Sequence, residues 1–476
     1  MARFQPLVRT FTLISCAAFT HAQAPTEPAR LVRLSVVALD SNGQPAAGLT
    51  AEDFQITDQG KPQRIVLFRG AAPAAQAGNS PESSNRPDPR IHTTAILFDF
   101  LSENRAERQE AARKMGASLK QLESGESIYL YVLGPDGTLI PVHEMPKEAG
   151  AASDKAWIHG IETVLAGVIK SHDKPRPAGM SDEDVVKKTY VALESVANQL
   201  SVFPGRRDII WIAGWVPNVS NPKSTCSGDW IDCSLYVPHL SVTLDHASVI
   251  VNPYFYGTAS VDQSRILEEM ASLTGGRSYL GPDMADVVKQ FGSQAQGTYS
   301  VAYDPAAASW DSKFHKVKVT CSRQGVKLAV RQRYYALPDQ RPAAARQQAM
   351  MVAAYQASSD VSDIGLRAKV TPGGPNTIKV ELRVDPADLV LRENAGQWSG
   401  PITLLYSARA ASGPQGEPTL ADMDLHLTRE QRETAMKEGI PITKEYPIDG
   451  ATQKVRLMVL DRATDSVGSL TVPVGK

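Results

Sequence analysis

The sequence predicts an α/β protein: a doubly wound, mainly parallel sheet with a small β unit before it and a β-sandwich after it. Three observations predict this. Between Ile91 and Tyr335, short apolar runs alternate with one-faced amphipathic stretches, the pattern of a parallel sheet covered on both sides. Before that, Arg30 to Phe68 holds short alternating runs split by turn residues. From Met350 onward the alternation has period two, and Pro- and Gly-rich turns separate the runs.

The first 24 residues read as an export signal. Arg3 and Arg9 precede the short apolar run Phe11–Phe19, and Ala22-Gln23-Ala24 is a small-residue cleavage site. The run is far shorter than the roughly 20 residues that span a bilayer. A second reading uses Leu13-Ile14-Ser15-Cys16 as a lipidation box anchored through Cys16. No later segment is long and apolar enough to cross a membrane, so the expected location is periplasmic or extracellular.

In residues 25–70, Val32, Leu34, Val36 and Ala38 alternate as in a half-buried strand. Asp40–Pro45 and Asp58-Gln59-Gly60-Lys61 carry turn chemistry. Residues 71–90 are rich in Ala, Pro, Ser, Asn and Gly and read as a linker.

Residues 91–336 form the α/β domain. Ile91–Asp99 is an apolar strand with one acid at its carboxyl end. A helix over Glu103–Glu123 follows, with Ala112, Met115, Leu119 and Leu122 on one face. Ile128–Leu133 is a buried strand, and Thr138–Val142 an edge strand, because Pro141 lacks the N–H a central strand needs. A helical region spans Ala156–Ile169. Ser181 opens a longer helix with Asp182, Glu183 and Asp184 in its first turn and Val185, Val186, Leu193, Val196, Ala197 and Leu200 on its apolar face. Gly205–Gly214 and Ser248–Tyr256 read as strands, Pro253 weakening the second. Asp262–Leu273 reads as a helix stopped by Thr274-Gly275-Gly276 before a short strand at Tyr279.

Residues 337–360 read as a second, flexible linker. Residues 361–476 form the β-sandwich, with strands at Ile378–Val384 and Val455–Leu460 and one amphipathic helix at Thr428–Lys437.

The formal net charge is −1, with 42% hydrophobic and 21% charged residues. No long basic run is present, which argues against a nucleic-acid partner held by a broad electrostatic footprint. A protein partner is expected instead. Cys226 and Cys233 bracket six residues, and in an oxidising compartment the pair forms a disulfide or remains two free thiols in a loop. Cys321 lies in a strand-like run and reads as a packed thiol.

Several stretches agree in order with a known pattern. Ala47-Gly48-Leu49-Thr50 precedes Glu52-Asp53-Phe54 and Asp58-Gln59-Gly60-Lys61. Tyr299-Ser300-Val301-Ala302-Tyr303-Asp304-Pro305 precedes Phe314-His315-Lys316-Val317-Lys318-Val319. Val330-Arg331-Gln332-Arg333-Tyr334-Tyr335-Ala336 comes next, and Leu460-Asp461-Arg462-Ala463-Thr464 with Val467-Gly468-Ser469-Leu470 closes the set. Together they resemble the von Willebrand factor A-related domain family described from Acidobacteria. The resemblance implies an exported α/β domain that serves protein interaction. The wider von Willebrand A fold often binds Mg²⁺ through Asp-x-Ser-x-Ser after its first strand, completed by a Thr and an Asp from later loops. Asp99 matches the first acid, but Leu101 and Glu103 occupy the serine positions. Ile212-Ala213-Gly214-Trp215 offers no carboxylate where the later acid belongs. Mg²⁺ requires near-octahedral oxygen ligation, which this set under-supplies. Asp99 is therefore the one candidate metal ligand. The alternative reading makes it a helix N-cap or hydrogen-bonded loop acid, and no cofactor is expected.

Enzyme motifs are missing from the sequence. There is no His-Glu-x-x-His pair, no Gly-x-Ser-x-Gly elbow and no phosphate loop. Asp208, Asp245 and His246 read as strand-edge and loop polar residues. Trp211, Trp215 and Trp230 flank the cysteine loop. Trp211 sits inside an apolar strand, whereas Trp215 and Trp230 read as interface anchors. The sequence thus points to a non-enzymatic interaction protein whose binding edge lies near Asp99, Trp215, Trp230 and the Cys226–Cys233 loop. A metal-dependent adhesion-like module is the second expectation, and a hydrolase with an unrecognised site the third.

Overall fold

A computed structural model describes residues 28–71, 82–86, 91–102, 105–119, 127–146, 157–203, 205–214, 236–256, 261–281, 283–305, 309–357, 359–410 and 413–474. The stretch read as an export signal, with Cys16, and the segment holding Trp215, Cys226, Trp230 and Cys233 lie outside these residues.

The strands in chain order begin with β1 (Val32–Leu39), β2 (Phe54–Asp58), β3 (Lys61–Gln63), β4 (Ile65–Arg69) and β5 (Ser83–Ser84). The α/β stretch holds β6 (His92–Asp99), α1 (Arg105–Leu119), β7 (Ser127–Leu133), β8 (Leu139–His143), α2 (Trp157–His172), α3 (Asp182–Leu200) and β9 (Arg206–Ala213). It continues through α4 (Tyr236–His246), β10 (Val249–Phe255), α5 (Val261–Ser272), β11 (Tyr279–Leu280) and α6 (Met284–Gln296). Then come β12 (Thr298–Tyr303), β13 (Phe314–Cys321), β14 (Lys327–Ala329), β15 (Arg333–Tyr335) and α7 (Ala343–Gln356). The last stretch holds β16 (Leu366–Pro372), β17 (Thr377–Val384), β18 (Arg392–Asn394), β19 (Gln397–Ala410), β20 (Gly413–Thr428), α8 (Arg429–Glu438), β21 (Ile440–Pro447), β22 (Lys454–Asp461) and β23 (Ser466–Pro473).

The α/β stretch builds a six-stranded sheet in the order β11-β10-β9-β6-β7-β8. All neighbours are parallel except the β7–β8 pair. The chain starts in the middle of this sheet and winds outward both ways, so the order reverses beside β6, the place where open α/β sheets bind ligands. Both faces are buried, which explains the unbroken apolar runs. Ala95, Leu97, Ile209 and Trp211 pack under α3, α4 and α5. Ile96, Phe98, Ile210 and Ile212 pack under α1, α2 and α6. β8 is the antiparallel edge, so Pro141 leaves no ladder bond unmade. Pro253 is tolerated in β10 because β11 pairs only with Tyr254 and Phe255. Gly275 ends the α5 region at a φ of 83°, and the Gly276 N–H donates to Ala271 O at 3.0 Å, a glycine stop.

The domain division differs from the expectation in three places. First, residues 25–70 are not a unit by themselves, and the α/β unit does not run on to 336. β1 pairs antiparallel with β12, Val32 opposite Tyr303, and β2 pairs with β13. Two four-stranded sheets, β14-β1-β12-β4 and β15-β13-β2-β3, close over one core that includes Leu34, Phe54, Ile56, Tyr299 and Val317. The physical reason is that strand alternation shows only that a partner is needed, not how far along the chain it stands. Second, residues 82–86 of the 71–90 linker are docked. β5 joins the edge of β16, and the buried Asn85 side chain bonds Val361 O, Ile364 O and Leu366 N. Third, the 337–360 linker contains α7, whose Met351 and Ala354 pack on Leu405, Met458 and Val467. Its alanines favour helix, and Arg346 pairs with Asp465 at 3.0 Å in a buried position.

The C-terminal stretch forms two antiparallel sheets, β21-β17-β16-β5 and β18-β19-β22-β23, with β20 added to β19. Their facing residues, among them Val380, Leu382, Leu404, Leu457 and Leu470, form one core. Ser181 and Thr428 each cap a helix through a reciprocal box with Asp184 and Gln431. Cys321 is a free, partly buried thiol on the core of the first two sheets. Among the described residues no helix is long and apolar enough to cross a membrane.

Candidate functional site

Asp99 ends β6 at the carboxyl edge of the parallel sheet, and its side chain is fully buried. Oδ1 accepts from the N–H groups of Leu101 at 2.9 Å and Ser102 at 3.0 Å. Oδ2 accepts from Trp211 Nε1 at 3.2 Å and Thr189 Oγ1 at 3.5 Å. An ionised carboxylate has about four lone-pair positions, and four protein donors meet them. The two backbone contacts, to the N–H groups two and three residues on, are those of a hydrogen-bonded acid in a turn. Burial pushes the Asp99 carboxyl above its ordinary 3.8, while the bonds from Ser102, Trp211 and Leu101 pull it back.

The loop after Asp99 is closed from its other side by two arginines. Arg108 Nη2 donates to Phe100 O at 2.5 Å, and Nη1 donates to Lys174 O at 3.0 Å. Arg176 Nη2 donates to Leu101 O at 3.1 Å while Nη1 pairs with Asp182 at 3.6 Å. The Phe100 N–H donates to Leu133 O at 2.9 Å, and Ser102 Oγ lies 3.4 Å from Asp99 O. The oxygens that a metal site would turn outward thus face protein donors. A six-coordinate cation there would have to displace several of these bonds. Among the described residues, no group of three or more His, Cys, Asp or Glu side chains is arranged to hold a metal ion.

The strand register explains the Asp99–Trp211 contact. Leu97 stands opposite Trp211 and Asp99 opposite Ala213 on adjacent parallel strands, so Trp211 and Asp99 share a face one step apart. Trp211 is therefore a core residue that spends its single N–H on Asp99. Thr189 belongs to the buried stripe of α3 with Val185, Val186 and Leu193. A polar residue in that stripe was the one sequence signal for it. Nothing in the sequence marked Arg108 or Arg176.

The other imagined acids are not brought together. Asp208 is buried near the start of β9, held by Arg206 at 2.7 Å and by Asn252 at 3.0 Å. Asp245 pairs with Arg331. Trp215, Trp230, Cys226 and Cys233 lie outside the described residues.

A second buried polar cluster gathers Asp58, Tyr303, His315 and Tyr334, from four of the stretches that carry the family resemblance. Asp58 Oδ2 accepts from Tyr303 Oη at 2.9 Å and Tyr334 Oη at 2.8 Å. Asp58 Oδ1 lies 3.1 Å from His315 Nδ1, and Asp311 Oδ1 lies 3.1 Å from His315 Nε2. Burial raises both tyrosine hydroxyls, which keeps them neutral donors. These four stretches therefore converge on the core of the two-sheet unit, whereas Leu460 and Val467 belong to the C-terminal sheets.

No family model matches the chain, and no curated protein sequence matches it. Solved structures match weakly. The TFIIH p34 N-terminal domain is 11% identical with a TM-score of 0.26, over 44% of this chain and 97% of that one. Proximal thread matrix protein 1 from the mussel byssus is 16% identical with a TM-score of 0.25, over 47% of this chain and 49% of that one, so the match spans about half the mussel protein. A von Willebrand factor type A protein from Catenulispora acidiphila is 8% identical with a TM-score of 0.26, over 70% of this chain and 82% of that one.

Proposed function

We propose that this chain is an exported, non-enzymatic protein-interaction module with a degenerate metal position. In this reading the middle unit is von Willebrand factor A-like, and a β-sandwich follows it. The contact surface is the carboxyl edge of the parallel sheet, with Trp215, Trp230 and the Cys226–Cys233 loop part of it. The partner is a protein met in the periplasm or outside the cell.

One observation carries the reading. The Asp99 carboxylate takes four protein donors, and Arg108 and Arg176 take the carbonyls of the following loop. An edge built this way meets a partner through shape and fixed charge rather than through a bridging ion. The strand order adds support, since it reverses beside β6.

A metal-dependent adhesion-like module is the second reading. The observation in its favour is that the Ser102 and Thr189 hydroxyls both lie on Asp99. Titration calorimetry with MgCl₂ and MnCl₂ separates the two, with Asp99→Ala as the control. The first reading expects no saturable heat from either protein. One-site heat that disappears in Asp99→Ala establishes the second. For the interaction itself, a partner captured by the wild-type chain is expected to be lost when Trp215 and Trp230 are both changed to Ala.

A further inference from the structure

Among the described residues, the longest uncovered strand edge belongs to β20, whose 16 residues pair with β19 alone. The other outer strands are blunted in the ways that keep sheets from joining. β3, β8 and β21 carry proline at Pro62, Pro141, Pro441 and Pro447. β5, β11, β14, β15 and β18 have two or three residues each, and β4 has five. β23 is covered, because the Ser469 N–H donates to Val361 O at 2.8 Å and the Thr471 N–H to Asp360 Oδ2 at 3.0 Å. Pro414 and Pro418 blunt the first part of β20, but Thr419–Thr428 holds no proline.

The ladder fixes which groups of that segment are free. The Arg462 N–H donates to Pro401 O at 3.0 Å, so Pro401 and the odd-numbered residues of β19 after it turn their backbone groups toward β22. The even-numbered residues turn toward β20, where Ile402 stands opposite Met423 and Leu404 opposite Ala421. The N–H and C=O groups of Leu420, Asp422, Asp424 and His426 therefore point away from β19. Among the described residues no backbone group meets them, and all four residues are exposed. On the inner face Leu425 is in the sandwich core, Leu427 packs against it, and Met423 stays exposed. On the outer face Thr403 Oγ1 donates to Asp422 Oδ1 at 2.6 Å. Arg462 lies 3.7 Å from Asp422 and 3.5 Å from Asp424. One guanidinium thus serves two exposed carboxylates, which leaves the strip net negative.

We propose that Thr419–Thr428 takes up an extended segment of a protein partner as an added strand, with cationic side chains on the partner's outer face. The free backbone groups supply the pairing, as in other strand additions. Residues two apart on a strand lie about 7 Å apart on one face, so cations at alternate positions meet Asp422 and Asp424. Apolar side chains at the positions between them cover Met423. A second copy of this chain fits the edge poorly. The two antiparallel self-pairings that use most of the segment set Asp422 against Asp424, or Asp424 against itself, and like charges placed opposite each other weaken a sheet. This edge belongs to the β-sandwich, so it stands or falls apart from the Asp99 edge.

The test uses the full chain and a fluorescent, end-blocked Lys-Val alternating decapeptide, followed by anisotropy. Wild type binds it. Methylating alternate backbone nitrogens of the peptide, in either phase, lowers the affinity about tenfold in the phase that faces β20. His426→Pro removes an N–H that the fold leaves unused, a change an outer strand tolerates, and lowers the affinity about tenfold too. Asp422→Asn/Asp424→Asn lowers it about tenfold through charge. Glu52→Gln/Glu268→Gln, two exposed acids elsewhere, leaves it unchanged. If His426→Pro fails to fold, the methylated peptides on wild type give the same reading. The proposal is overturned if wild type ignores the peptide, if both methylated forms bind as well as the parent, or if a folded His426→Pro binds as well as wild type. A wild-type dimer in sedimentation that His426→Pro dissolves gives the edge to a second copy and also overturns it.

Discussion

Trp211 Nε1 donates a hydrogen bond to Asp99 Oδ2 at 3.2 Å across two adjacent parallel strands, and both side chains are fully buried. Among the described residues, the indole is the only donor that reaches this carboxylate from a neighbouring strand. Trp211→Phe keeps an aromatic ring but removes the N–H and part of the indole volume. The expected loss is about 1–3 kcal/mol, because a buried acceptor is left unmet. Equilibrium urea unfolding measures it, and an unchanged midpoint would show the bond to be unimportant.

Asp99 also sets a pH dependence. Its folded value is raised above the ordinary 3.8 by burial. Between those two values the folded chain binds more protons than the unfolded chain, so this group makes stability fall as pH rises. Asp99→Asn does not titrate. The melting temperature of the variant minus that of wild type is therefore expected to grow as pH rises from about 4 and to level off above the raised value. A difference that shrinks or stays flat over that range contradicts the assignment.

Tyr303 and Tyr334 share one acceptor, Asp58 Oδ2. Each Tyr→Phe change is expected to cost about 1–2 kcal/mol. Groups on one acceptor do not act independently, so the double variant should depart from the sum by about 0.5 kcal/mol or more. A double-mutant cycle by denaturant unfolding reads this directly, and strict additivity would mean that the two hydroxyls are not coupled.

Arg346 anchors α7 to Asp465 in a buried position. Arg346→Ala leaves that acid without its charge partner, at a cost of about 3–5 kcal/mol. Limited proteolysis is expected to open a new cleavage region within residues 337–357 in the variant, while wild type resists cutting there. Equal cutting of both would return the segment to the status of a loose tether.

Much of the parallel sheet could be read from the sequence. Strands buried on both faces leave long apolar runs, and β6, β7, β9 and β10 all show them. Pro141 marked an edge, and Ser181 and Thr428 marked helix starts, because those signals are local. What stayed hidden depended on distant partners. Nothing near Val32 announces Tyr303, and nothing near Leu101 announces Arg176. Asp99 stood out as a lone acid after an apolar run, yet two of its four donors come from β9 and α3, which only the folded sheet brings beside it. The alanine-rich stretch over α7 was misread as flexible because its anchor, Asp465, lies far along the chain.

The β1–β12 pairing has a consequence for synthesis. The ribosome delivers β1 long before β12 exists, and every residue of the parallel-sheet unit emerges in between. At ordinary translation speeds that delay is on the order of tens of seconds. Throughout it, an apolar strand waits with an open edge. Safe maturation of the nascent chain therefore depends on shielding that strand until its late counterpart leaves the exit tunnel.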